Sequence, residues 1–485
     1  MFGLVANILF VHGTTRTMPL DGAAKASGVK PLAWPARSAK FGSPDMNRET
    51  AQVISQRSAH GLGTDFAQRS TSRDTTRLQA SKVFTLIALI TLAFPILGMF
   101  EASGRMVFLY YLALVIAIPA LLLLGQLSLR NMTLILPVLA TITLSTLVNM
   151  DSARLSVVGF HALHLVAIVF LASSPAKLVL RFAKVTITIY AVTILLTQGL
   201  MILGLQELVS WLLVQEDSVG AVPRVAAFAT EPSYAAMILL ILARFVLVFD
   251  TVWMTTRRLA LILVSMLACL SLFGVISAIL LLAMALMEHG KTRGMIGVLV
   301  GGAVLLIGIS NSDFFATRFA DLDLSQGARG LGTGTIRLLP YIYVGELLQD
   351  DPLPFLLGAG AGAFDQKFFF EVGRYYTANQ HFSTTMAGFA YDYGIVGVLF
   401  ILIFWNSARK LPSKVLFMIM SLAIMINSGV GTYLFVLYGV FALQEHRARS
   451  MRKTLSGLRR GGRPALGVAG SSSALGRSAG WEKRL

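Results

Sequence analysis

Charge is scarce in this sequence. Asp, Glu, Lys and Arg make up 13% of 485 residues, where a soluble globular domain carries about 25%. Apolar residues make up 55%, and the mean hydropathy is +0.71. In water such a chain would expose too much apolar surface, so lipid is its natural solvent. Cysteine is nearly absent. Cys269 stands alone inside an apolar run, which excludes an internal disulfide and a cysteine-based metal site. No basic n-region accompanies the mildly apolar stretch Met1–Val11, so it is not read as a signal peptide. No strand–helix unit surrounds the alternating glycines of Gly358–Phe364, so they are not a dinucleotide fingerprint.

What charge there is lies at the ends. The net charge is +17. The stretch before the first apolar run has eleven basic residues against five acidic, and the tail from Arg447 has ten against one. The two tails thus hold +6 and +9 of the +17. Basic segments flanking apolar spans are expected on the cytoplasmic side, where they can touch anionic lipid headgroups. No aromatic-basic motif accompanies them, so nucleic acid is not an expected partner. Residues 1–81 are polar, aperiodic and rich in Gly, Ser and Thr. They are read as a disordered cytoplasmic tail, with Met46 as an alternative start. Residues 446–485 are read as a second such tail, and 82–445 as the transmembrane domain.

A membrane-spanning helix needs about 20 apolar residues. Clear runs are Val83–Phe100, Met106–Gly125, Met132–Met150, Leu155–Ala172, Val185–Leu205, Tyr234–Phe249, Met295–Ser310 and Thr385–Trp405. Two stretches are ambiguous. Leu259–Met287 could break near Ser271–Gly274, and Val415–Leu443 at Asn427–Gly431. Reading both as helical pairs puts Arg130, Lys177, Arg181, Lys184, Arg257, Arg258, Lys291, Arg293, Arg409, Lys410, Lys414 and both tails on one side. The expectation is an all-α polytopic integral membrane protein of about twelve transmembrane helices, with ten or eleven as the alternative. Both termini are then cytoplasmic. Two long loops face outward, about 206–232 and 311–384, and these are the places for function.

The first loop ends in Pro223-Arg224, then Phe228-Ala229-Thr230-Glu231-Pro232-Ser233-Tyr234. Pro suits the first turn of a helix. One reading is a capped helix with Arg224 snorkelling at the interface. The other is a cation and a carboxylate at a positive helix end, a place that suits a phosphate. In the second loop Ile336, Leu339, Tyr343 and Leu347 recur at helical spacing after Arg337, predicting an amphipathic helix on the membrane. Pro340 is read as early enough in it to be tolerated. The glycines of 358–362 would let a ligand or a neighbouring helix approach closely. His381, just before the 385–405 run, could act as base, donor or phosphate partner. Within the spans, His161 and His164 share a helix face with no evident acidic or cysteine partner, so no metal is expected. Arg244 lies deep in a span, a functional hypothesis by default, with its partner not evident in the sequence.

These pieces, in this order, resemble the O-antigen polymerase and O-antigen ligase superfamily, including the exopolysaccharide polymerases. The resemblance rests on Arg224 through Tyr234, then Arg337, Asp351-Pro352-Leu353 and Gly358–Phe364, then Asn379-Gln380-His381 and Tyr393-Gly394-Ile395-Val396-Gly397. The family pattern usually reads His-Asn where this chain has His381-Phe382. The resemblance implies a GT-C-type fold in the bacterial inner membrane and a glycosyltransferase that uses neither metal nor cofactor. Its donor would be a polyprenyl-pyrophosphate-linked oligosaccharide on the periplasmic face. A polymerase would join it to a second lipid-linked repeat unit, and a ligase would move it to lipid A-core. Glu231-Pro232-Ser233 looks more like the capsule and exopolysaccharide polymerases. The expected site is Arg224 and Arg337 on the pyrophosphate, with Glu231 or His381 as base. A chain-length regulator and export proteins would be partners. The competing readings are a transporter, which Arg244 favours, and a structural subunit of an export complex.

Overall fold

The computed structural model describes residues 76–102, 105–125, 129–151, 153–205, 207–209, 213–219, 222–310, 333–371, 385–399, 414–429 and 432–461. Most of the expected tails and His381 lie outside these residues. The described chain is predominantly helical. Five of its helices are long and apolar enough to cross a membrane. They are α1 (Thr76–Ala93), α4 (Leu155–Ala172), α5 (Ala176–Ile202), α6 (Pro232–Phe249) and α9 (Thr292–Ser310). Shorter apolar stretches are α2 (Leu109–Leu123), Ile135–Val148 within α3 (Leu129–Val148), α8 (Leu272–Glu288) and α14 (Lys414–Ser428). Helix α7 (Thr256–Ala268) and the long α15 (Tyr433–Gly461) complete this set.

Helix α6 is the hub. It packs against α5, α8, α7 and α15, and 83% of its apolar window is buried. Helix α9 is peripheral, packed on α8, with only 6% buried. An apolar helix with so little covered needs another solvent than water, which is the physical case for a membrane-embedded protein.

Both ambiguous stretches are helical pairs. Ser271 Oγ accepts the Gly274 N–H at 2.9 Å and caps α8, as a serine N-cap should. Leu270, just before it, has φ +48°. Gly274 lies so close to the Met266 carbonyl that a Cβ there would sit 2.4 Å from it, so α7 and α8 fold back on each other. Gly429, with φ +75°, ends α14 in the same way before α15 begins.

Contacts sort the helix ends into two groups. At one end Lys184 pairs with Asp250, and Arg258 lies 4.6 Å over the Trp253 ring. Gln444 and Arg447 donate to the Ser174 and Ser173 carbonyls at 2.7 and 3.4 Å. Burial pushes the Asp250 carboxyl up, but the Lys184 and Trp253 N–H groups outweigh it and hold it below its ordinary value. At the other end Ile96 N–H reaches the Phe228 carbonyl at 3.2 Å, and Arg154 N–H the Ala361 carbonyl at 2.8 Å.

Four differences from the expectations stand out. The first loop contains a two-stranded antiparallel ladder, β3 (Leu213–Val219) and β4 (Val222–Val225), with Val219 opposite Val222. Another ladder pairs β1 (Met99–Ala102) with β2 (Arg105–Phe108). Helix α15 runs to Gly461, well into the segment read as a disordered tail. Its apolar first half is packed against α4 and α6, so the basic half extends a nucleus already formed, at little further cost. The 385–405 run is not one helix. Helix α13 (Met386–Tyr393) stops at Gly394, φ +63°, and 395–399 starts a new turn. A Cβ on Gly397 would sit 2.8 Å from Ala390 Cα, which a straight helix cannot produce at a separation of seven residues.

Candidate functional site

The first loop is tied to both helix breaks. Arg224 lies in β4, one residue before its end, and is buried. Its Nε donates to the Leu270 carbonyl at 3.2 Å, in the α7–α8 turn. The chain then turns through Ala227, φ +50°, a conformation that costs a non-glycine residue energy. Phe228 fills the space beneath, against Phe94 and Tyr190 at 5.3 and 5.9 Å. Thr230 Oγ1 meets the Tyr433 hydroxyl at 2.9 Å. Glu231 is the N-cap of α6 with extended backbone, and Pro232 follows in the first turn. Its Oε2 accepts from Ser233 Oγ at 3.1 Å. Tyr234 donates to the Asn427 carbonyl at 3.3 Å, two residues before the α14 break. The half-buried Glu231 is thus a carboxylate at a positive helix end.

The second loop builds its own small core. Helix α10 (Thr333–Asp350) carries Arg337, and Pro340 lies inside it, past its first turn. Tyr343 and Val344 pack on Phe364, Phe368, Ala387 and Tyr391 from α12 (Ala363–Glu371) and α13. Tyr343 and Val344, with Leu347 and Leu348 beside them, therefore cover other parts of the loop. A short helix, α11 (Leu353–Leu357), leads into the glycine run.

The glycines serve this packing. Gly358, Gly360 and Gly362 all have positive φ, a conformation open to glycine at no steric cost. Asp392, fully buried, accepts from the Gly362 and Phe364 N–H groups, each at 2.8 Å. Its own carbonyl accepts from Gly360 N–H at 3.0 Å and from Ser145 Oγ at 3.1 Å. The positive end of α12 is thus occupied by a carboxylate of the chain itself. The glycine run wraps a neighbouring helix, one of the two roles open to it. The signal missed was Asp392, an acid between two tyrosines in an apolar run.

A buried aromatic seam joins the two loops. His161 Nδ1 and the Tyr393 hydroxyl are 2.9 Å apart. His164 Nδ1 donates to the Phe160 carbonyl at 2.7 Å, which fixes its tautomer. The Tyr110 ring lies 6.0 Å from His164 and 5.9 Å from Tyr433. The line Tyr393–His161–His164–Tyr110–Tyr433–Thr230 therefore runs from the second loop to the first. Among the described residues no three His, Cys, Asp or Glu side chains gather as a metal site.

Arg244, which had no evident partner, is paired. Its Nη2 donates to Glu445 Oε1 at 3.0 Å, and both side chains are 3% exposed. The guanidinium also lies 4.6 Å over the Phe417 ring. This pair sits toward the Ser173–Asp250 end of the bundle, away from the loops.

Of the four candidate residues, Arg224 and Glu231 are brought to one end of the bundle, seven residues apart around a buried turn. Arg337 lies on the helix that opens the second-loop core. His381 is outside the described residues. Compared with family models, with curated proteins and with solved structures, the chain matches none.

Proposed function

We propose that the chain is a membrane glycosyltransferase of polysaccharide assembly. It acts as a polymerase on polyprenyl-pyrophosphate-linked oligosaccharides, at the outer face of a bacterial inner membrane. The observation that carries this reading is the aromatic seam. Two motif-bearing loops, distant in sequence, share one buried floor through Thr230–Tyr433 and His161–Tyr393. Arg224 and Glu231 stand on one side of that floor.

In the reaction the C1–O bond to the pyrophosphate breaks, and an acceptor hydroxyl forms the new C1–O bond. Negative charge develops on the departing polyprenyl pyrophosphate. Arg224 and Arg337 answer it with charge-assisted, bidentate contacts. Glu231 or His381 takes the proton of the acceptor hydroxyl. The carbonyl of Leu270 holds Arg224 through Nε, so the guanidinium plane is set before substrate arrives.

The basic end of the bundle is assigned to the cytoplasm. Gly394 packs against Gly358 in the outward loop core, and Lys414 begins a helix that ends at the same level near Asn427. On this reading the chain crosses once between these two points, and residues 400–413 lie outside the described residues. The count on this reading is twelve, with both termini cytoplasmic. A chain-length regulator and export proteins are the expected partners.

A deletion host separates the readings. Accumulated single repeat units support the polymerase. Complete polymer detached from lipid A-core supports a ligase. Polymer trapped inside supports a transporter. A tag beside His289 that reports the outer face overturns the sidedness.

A further inference from the structure

We propose that His161 is a positioning residue that latches the second outer loop onto the membrane bundle; this rests on the polymerase reading only for its effect on catalysis. His161 is 1% exposed, in the first half of α4. It meets the Tyr393 hydroxyl at 2.9 Å, a side-chain hydrogen bond between residues 232 apart in sequence. The Phe389 ring, one turn earlier on α13, stands edge-on to the imidazole at 5.0 Å.

Tyr393 is the last residue of α13. Its neighbour Asp392 holds Gly362 and Phe364. Gly394, the next residue, packs on the Gly358 backbone. Whatever fixes Tyr393 therefore fixes the glycine run, the start of α12 and the core that α10 closes. Three further contacts from the bundle reach this loop: Asn149 Nδ2 donates to the Gly358 carbonyl at 3.1 Å, Arg154 N–H to the Ala361 carbonyl at 2.8 Å, and Ser145 Oγ to the Asp392 carbonyl at 3.1 Å. The first two hold the glycine run. Ser145 and His161 hold the helix that carries Asp392, and His161 alone of the four holds it through the Tyr393 side chain. Breaking its bond leaves α13 held to the bundle by hydrogen bond at Ser145, and the loop core loosens with it. Arg337 is carried on that core.

Lys367 reports the latch directly. It is the only lysine between Lys291 and Lys410, and it lies 5.6 Å over the Tyr391 ring. Its side chain is exposed but its backbone lies inside α12, so a lysine-specific protease acting on the purified full-length protein in detergent cuts there once that helix unwinds from the loop core. The Tyr393→Phe variant removes one hydroxyl and keeps the ring. Its cleavage after Lys367 is expected to quicken roughly two- to tenfold, the range of one net hydrogen bond when cleavage follows opening. His161→Ala should quicken it as much or more. His161→Asn, which keeps a polar atom near the Nδ1 position, should restore slow cleavage. The double variant His161→Asn with Tyr393→Phe should return to fast cleavage. Equal rates in wild type and Tyr393→Phe overturn the latch. In a deletion host Tyr393→Phe should shorten the polymer at unchanged membrane level. Full-length polymer from it, together with fast cleavage, removes the latch from catalysis. Absence of any polymer defect in the host itself overturns the proposed function and leaves the proteolysis result standing.

Discussion

Arg224 donates through Nε to the carbonyl oxygen of Leu270, 3.2 Å away and 46 residues later in the chain. A buried arginine is thereby anchored to the turn of a helical hairpin by the nitrogen nearest its stem. Lysine has no equivalent of Nε, and its ammonium cannot hold the turn and present a fork at once. Arg224→Ala and Arg337→Ala are each expected to abolish polymer while the protein stays in the membrane. Arg224→Lys is expected to lose at least about tenfold in polymer yield, the effect of roughly 1.4 kcal/mol on a rate. Gel analysis of the glycan beside an immunoblot of the membranes measures both, and normal long polymer from Arg337→Ala removes that residue from the site.

Asp392 is a structural test. Asp392→Asn keeps one acceptor oxygen and turns the other into a donor facing an N–H. A hydrogen bond to a buried charged group contributes about 1.5–3 kcal/mol, so thermal unfolding in detergent should start lower. Gly362→Ala should act in the same direction. Its φ is +79°, and a left-handed L-residue costs about 1–2 kcal/mol. An unchanged unfolding curve for both variants would mean the nest is not holding the loop.

The Arg244–Glu445 pair makes a different prediction. Glu445→Leu leaves a buried guanidinium without its carboxylate, a loss of about 3–5 kcal/mol where this has been measured. Arg244→Met combined with Glu445→Leu replaces both charges with apolar groups and should recover most of that loss. If the double variant unfolds as readily as Glu445→Leu, charge isolation is not the cause.

Asp250 links stability to acid. Its folded-state carboxyl is held below the ordinary value of 3.8. A lowered value means that the unfolded chain binds the proton first as pH falls. The contribution is therefore complete above the unfolded value and disappears as pH drops through the folded one. Asp250→Asn should be less stable than wild type at pH 7 and converge with it in strong acid. A constant gap between the two proteins down to pH 2 would rule this out.

Much of the fold was legible in the sequence, for identifiable reasons. Apolar runs of about 20 residues mark helices because a helix satisfies its own backbone in lipid within one such run. The two breaks were legible because Ser271 is a capping residue and Gly429 a residue that takes a positive φ without cost. Arg224 and Glu231 were legible because a proline starts the helix between loop and span. The partner of Arg244 was not, since Glu445 lies 201 residues away and no local pattern encodes that distance. The early end of α13 was not either. The residues on both sides of Gly394 are apolar, but those before it are buried among the side chains of a loop core, and hydropathy does not tell that burial from lipid. The same ambiguity hid Asp392, whose partners are backbone groups and so leave no mark in the sequence.

The buried Arg244–Glu445 pair also sets an order on biogenesis. A ribosome makes the arginine about two hundred residues before it makes the glutamate. Through that interval the early helix holds an intramembrane cation that water, lipid headgroups or an insertion chaperone must shelter. A chain stopped before its last helix never acquires the carboxylate. Quality control can read that uncompensated charge as the sign of an unfinished protein.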